Sequence, residues 1–197
     1  MNATLRLFLD LCLLRAGPER MPTLGIFVLL VVAANLLVSA LVALTSPFNQ
    51  TLMAAVTVPV LGAAILASGT WLVLLAKGRQ ARFTATFTAL MGADAFITAL
   101  SWPLVMLMTP GGEPNGLDLA IAVAQFAMLF WWITVAGYVF ASALEVPRSQ
   151  GVAVALFVVL ATLLVNASLF PPPAVEAAAA ATNPPASRVW METEASS

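Results

Sequence analysis

Five apolar stretches of about 20 residues each, joined by connections of ten residues or fewer, constrain this chain more than any other feature. They run at about 23–44, 54–76, 83–108, 119–144 and 151–169. Each has the length an α-helix needs to cross a hydrocarbon layer of ~30 Å at 1.5 Å per residue. In that layer no water is present to satisfy backbone N–H and C=O groups, so a segment of this kind must bond to itself, and it does so as a helix. The expected fold is therefore all-α, an integral membrane bundle of five transmembrane helices. Composition agrees. The chain is 61% hydrophobic and 9% charged, whereas roughly a quarter of the residues of a soluble domain carry charge.

Three regions follow from this reading. Residues 1–20 form a cytoplasmic interfacial segment, 21–170 the five-helix transmembrane domain, and 171–197 an extracytoplasmic tail. In the first region, 2–15 is apolar around most of a helical wheel, with Asn2, Arg6 and Asp10 on one narrow stripe. Arg6 and Asp10 are four apart and able to pair. The segment is too short to span and is broken by Gly17-Pro18, so it is expected as a short amphipathic helix lying at the membrane interface. Asp10 and Arg15 interrupt its leucine-rich run, which argues against a cleaved signal peptide. The tail holds Pro171-Pro172-Pro173 and an alanine run, offers little apolar surface to bury, and is expected to be disordered.

Basic residues indicate the orientation. Arg6, Arg15 and Arg20 precede the first span, Lys77, Arg79 and Arg82 join the second to the third, and Arg148 joins the fourth to the fifth. The two intervening connections carry no Lys or Arg. By the positive-inside rule the N-terminus is cytoplasmic and the C-terminus extracytoplasmic.

The residues also limit the chemistry. There is no histidine and a single cysteine, Cys12, which removes His/Cys zinc sites, haem ligation through histidine and intrachain disulfides. Cys12 itself reads as a small buried hydrophobe. The net charge of −1 and the lack of a basic run leave no footprint for nucleic acid. A serine protease of the membrane needs a histidine base, and an aspartyl protease needs two membrane aspartates where this chain has one. No catalytic residue, cofactor or metal is expected.

That one aspartate, Asp94, lies near the middle of the third span and is the default candidate site, because a carboxylate at mid-bilayer is costly and such groups usually serve a purpose. No Lys or Arg lies at its depth, so the neutral acid is the expected form. Thr84, Thr98 and Ser101 share its helical face, Asn35 in the first span lies at similar depth, and Gln125 and Asn166 lie nearer the outer side. These polar groups are able to hydrogen-bond across helices. Trp131, Trp132 and Tyr138 read as packing and interface anchors. Small residues at Ala63/Ala67 and Ala64/Ser68, with Gly62 and Gly69 seven apart, point to the second span as the centre of the bundle, kinked at Pro59.

The segment Gly17-Pro18-Glu19-Arg20-Met21-Pro22, the five spans, the basic glycine-containing loop before Phe83 and the proline late in the third span at Trp102-Pro103-Leu104 together resemble a bacterial Yip1-type membrane protein over about Leu5 to Phe170. The long cytoplasmic region and the Asp-Leu-Tyr-Gly-Pro-like motif of the eukaryotic proteins are missing, so the resemblance does not carry their link to Rab GTPases. It implies a non-enzymatic helical bundle that binds partners or affects membrane organisation. The expectation is thus a non-catalytic protein of a bacterial inner membrane, with the lipid bilayer and other membrane proteins or a second copy as partners. The alternative is a small proton-coupled transporter or lipid-handling protein that uses Asp94.

Overall fold

The computed structural model describes residues 3–47, 51–108 and 115–169, with side chains from Arg6 onward except that of Arg20. The expected tail at 171–197 lies outside the described residues. Six helices follow one another: α1 (Ala3–Cys12), α2 (Gly25–Thr45), α3 (Leu52–Ala76), α4 (Phe83–Met106), α5 (Gly116–Leu144) and α6 (Arg148–Leu169), with 3₁₀ turns at Pro18–Arg20 and Gln80–Arg82. The described residues are all-α, and the five helices α2 to α6 are long and apolar enough to cross a membrane. This is a multi-pass membrane protein.

Local chemistry sets the helix ends. Thr51 caps α3 by accepting from the Ala54 N–H at 3.2 Å, and Asn115 and Asp118 form a reciprocal capping box at the start of α5. Past the end of α3, Gly78 takes φ +66°, which lets the Arg79 N–H turn back to the Leu74 carbonyl at 2.8 Å. α3 continues through Pro59 as one helix.

The chain divides into two compact units, Met1–Leu160 and Ala161–Ser197, and the described part of the second is the last stretch of α6. In the first unit the centre is α4. It buries Thr86, the whole run from Thr88 to Ala93, and Ile97. The Thr86 and Thr88 hydroxyls donate one turn back, to the carbonyls of Arg82 just before α4 and Thr84 within it, at 2.8 and 2.7 Å, so both threonines enter the core with their polarity satisfied. This corrects the expectation that the second span is central. On α3, Ala64 and Ser68 are exposed, Gly62 has no neighbour within 4 Å of where a Cβ would lie, and the Ser68 hydroxyl returns to the Ala64 carbonyl. Small residues permit a close approach without demanding one.

Gly69 does admit a neighbour, since a Cβ there would lie 3.3 Å from the Val158 side chain of α6, but the tightest approaches occur elsewhere. Gly137 on α5 faces Val152, and a Cβ on Gly151 would run into the Gly137 carbonyl and the Ala141 backbone, so α5 and the start of α6 cross with main chain against main chain. Gly92 at mid-α4 leaves its space to the ring of Phe8 on α1.

The short N-terminal helix is present, and its apolar side is turned onto protein. Leu11 and Cys12 are 0% and 1% exposed, and Phe8 stacks on Phe27 with ring centroids 6.4 Å apart. The Cys12 carbonyl, left without an intrahelical donor at the end of α1, accepts from the Trp131 indole N–H at 2.9 Å. Arg6 is exposed, and the Arg6–Asp10 pair that their spacing permits is not formed among the described residues.

Candidate functional site

Asp94 is the twelfth residue of α4 and Asn35 the eleventh of α2, so each stands at the middle of its helix. The two helices pack closely at this level, and the Asn35 amide Nδ2 donates to the Asp94 carboxyl Oδ2 at 2.8 Å. The same nitrogen donates to the Met91 carbonyl at 3.1 Å. Both partners are acceptors, which leaves no doubt about which end of the amide points inward. Asn35 is 3% exposed, and Asp94 is half-buried. From α5, the Trp132 side chain lies beside the Asp94 carboxyl. Thus the Asp94 carboxyl accepts from a donor brought by α2, and α2 and α4 are joined at mid-membrane with α5 alongside.

Among the described residues the other candidates make no hydrogen bond to this pair. Ser101 donates to the Thr98 carbonyl on its own helix at 2.9 Å, so both remain local to α4. Gln125 is half-buried on α5, seven residues or roughly 10 Å along the helix from Trp132. Asn166 belongs to the second unit, and its side-chain oxygen is buried without a hydrogen-bond partner among the described residues. On α3, the Thr70 hydroxyl is likewise buried and unpartnered among the described residues. Among the described residues no three His, Cys, Asp or Glu side chains converge as a metal site would require.

A second polar centre sits at one end of the first unit, where the connection before α4 meets the end of α5. Glu145 follows α5 directly and binds both Arg79 and Arg82. Arg79 Nη2 donates to Oε2 and Arg82 Nη2 to Oε1, each at 2.6 Å, and Arg79 Nη1 pairs with Oε1 as well. Arg82 Nη1 also donates to the Ser142 and Ala143 carbonyls at 3.3 and 3.2 Å, which would otherwise be orphaned at the helix end. The hydrogen bonds from the two arginines hold the Glu145 carboxyl down at about 2. Beside this cluster lies a pocket of about 310 Å³ lined by Pro18, Glu19, Arg82, Ala85, Thr86, Ser142, Ala143 and Glu145.

No protein-family model, no curated protein and no solved structure matches this chain.

Sequence reasoning found Asp94 and Asn35 and missed Trp132 and Glu145. Trp132 is the seventeenth of the 29 residues of α5. That is deeper than the membrane interface where tryptophan normally anchors, and its depth was the available signal. Glu145 had a signal too, since it is an acid in a connection adjoining one that holds three cations.

Proposed function

We propose that this protein is a non-catalytic, multi-pass component of a bacterial inner membrane, an accessory or scaffold partner of other membrane proteins, held in shape by a mid-membrane hydrogen-bonded strut at Asp94. The observation that carries the reading is that the Asp94 carboxyl already accepts from Asn35 of a neighbouring helix at 2.8 Å. A group committed in this way orders helices against one another. The resemblance to bacterial Yip1-type proteins supports the same class. We place the N-terminus in the cytoplasm on the distribution of Lys and Arg. The reading is strengthened by the meeting of the Pro18–Glu19 turn, Arg82 and Glu145 around one pocket, since all three belong to stretches assigned to the same side.

The alternative, proton-coupled transport through Asp94, is favoured by its half-buried state beside a fully buried Asn35. Two substitutions separate the readings. Asn retains one acceptor oxygen and Leu retains none, so for a strut Asp94→Asn costs little, whereas Asp94→Leu takes away the side-chain partner of Asn35 and lowers stability by about 1–3 kcal/mol. Thermal melting in detergent and complementation of a deletion strain measure both. An Asp94→Asn protein that melts like the parent but fails to complement establishes the proton-handling reading instead, because an amide does not exchange a proton near neutral pH.

A further inference from the structure

The pocket beside Glu145 lies where a membrane surface must be: Arg82 immediately precedes α4, and Glu145 immediately follows α5. Its lining combines charged side chains with small apolar ones. Ala85 and Ala143 form the apolar part, and Thr86 and Ser142 bring hydroxyls. At about 310 Å³ it is at the lower end of the range for small-ligand sites, the size for a compact polar group.

The distribution of charge selects the occupant. The charged side chains on the wall are Glu19, Arg82 and Glu145, and with Arg79, which is paired to Glu145, the cluster sums to zero. Glu145 is saturated by its two arginines. Among the described residues Glu19 has no cation partner. Its carboxylate folds back over Gly17, where any Cβ would collide with it. Arg82 spends three N–H donors, two on main-chain carbonyls and one on Glu145. A guanidinium has five, so two remain. Among the described residues the pocket thus offers one anion without a cation partner and two spare N–H groups of a cation, a pattern complementary to a zwitterion bearing an ammonium and a phosphate. A purely anionic headgroup would leave the Glu19 carboxylate uncompensated and be repelled by it, and a trimethylammonium group has no N–H to donate to a carboxylate.

We propose that this pocket binds the phosphoethanolamine headgroup of a membrane lipid, with Glu19 receiving the ammonium and the spare Arg82 N–H groups the phosphate. The site is independent of the Asp94 strut and does not rest on it.

The test uses the full chain in mild detergent, exposed to an equimolar mixture of phosphatidylethanolamine, phosphatidylcholine and phosphatidylglycerol with matched acyl chains, with retained lipid read by native mass spectrometry. The parent protein should retain the ethanolamine lipid over the glycerol lipid by about five-fold, as one exposed ion pair allows. Glu19→Gln, at an exposed position, should abolish that preference. Ala85→Leu, which fills the pocket, should remove the retained lipid while Glu145 still holds its arginines. Equal retention of the three lipids by the parent overturns the proposal, as does a preference that survives both substitutions. Soluble glycerophosphoethanolamine is added in a separate arm. If it displaces the lipid at equal concentration, the tails contribute nothing, and the assignment to a membrane lipid is overturned in favour of a free zwitterion.

Discussion

Glu145 occupies a left-handed backbone conformation, φ 54°, at the end of α5, and the Val146 N–H closes the turn onto the Ala141 carbonyl at 3.1 Å. Glycine is the usual residue there, and a residue with a side chain costs roughly 1–2 kcal/mol more. What is kept in return is a carboxylate that ties the 79–82 connection to the end of α5. Its folded pKa of about 2 lies below the ordinary 4.5. A carboxyl depressed on folding contributes in full above its unfolded value and loses that contribution as pH falls through the folded one. The contribution of Glu145 is therefore present at pH 7 and fades between about 4.5 and 2. The pair is solvent-exposed, so salt weakens it as well. Glu145→Gln should lower the melting temperature at pH 7 in low salt, with a deficit that shrinks as salt is added and closes as the pH approaches the folded pKa. A deficit insensitive to both salt and pH would assign the loss to something other than the ion pairs.

At the scale of the helix, α1 is tied to the bundle by one missing side chain. Gly92 admits the Phe8 ring to the centre of α4, and behind it Leu11 and Cys12 are enclosed. Burial pushes the Cys12 thiol up to about 11, far from reactive at neutral pH. Since Cys12 is the only cysteine of the chain, it reports directly on whether α1 is docked. A maleimide at pH 7.5 should leave the native protein unlabelled in detergent. Gly92→Leu, which overpacks the site by about 1–3 kcal/mol, should make Cys12 react while the five long helices persist by circular dichroism. Rapid labelling of the parent protein would show that α1 does not stay in place. The crossing of α5 and α6 depends on glycine more strictly, because the atoms facing Gly151 are main chain and cannot rotate away. Gly151→Leu should cost about 3 kcal/mol or more, whereas Gly62→Leu, at an open position on α3, should be nearly silent.

For the whole molecule, the positive-inside distribution predicts that the 77–82 connection is cytoplasmic and the α4–α5 connection extracytoplasmic. In a Cys12→Ala background, cysteine at the exposed Asn115 should react with an impermeant thiol reagent in intact cells, and cysteine at the exposed Lys77 should not. Reaction at Lys77 alone would invert the topology. What the sequence by itself determined is the number of spans, their limits to within a few residues, the existence of the N-terminal helix and the candidacy of Asp94 and Asn35. These follow from apolar length, from punctuation by Gly, Pro and charge, and from the cost of polar groups at mid-bilayer, all of which act along one stretch of chain. Tertiary structure alone decided that α4 rather than α3 is central, that α1 packs on Gly92, that Trp132 lies beside Asp94, and that Glu145 gathers two arginines. The physical reason is that each of these depends on which faces meet. In a helix apolar on every side, periodicity does not mark the face that turns inward, and the choice falls to the fit of side chains such as Phe8 against the bare Cα of Gly92.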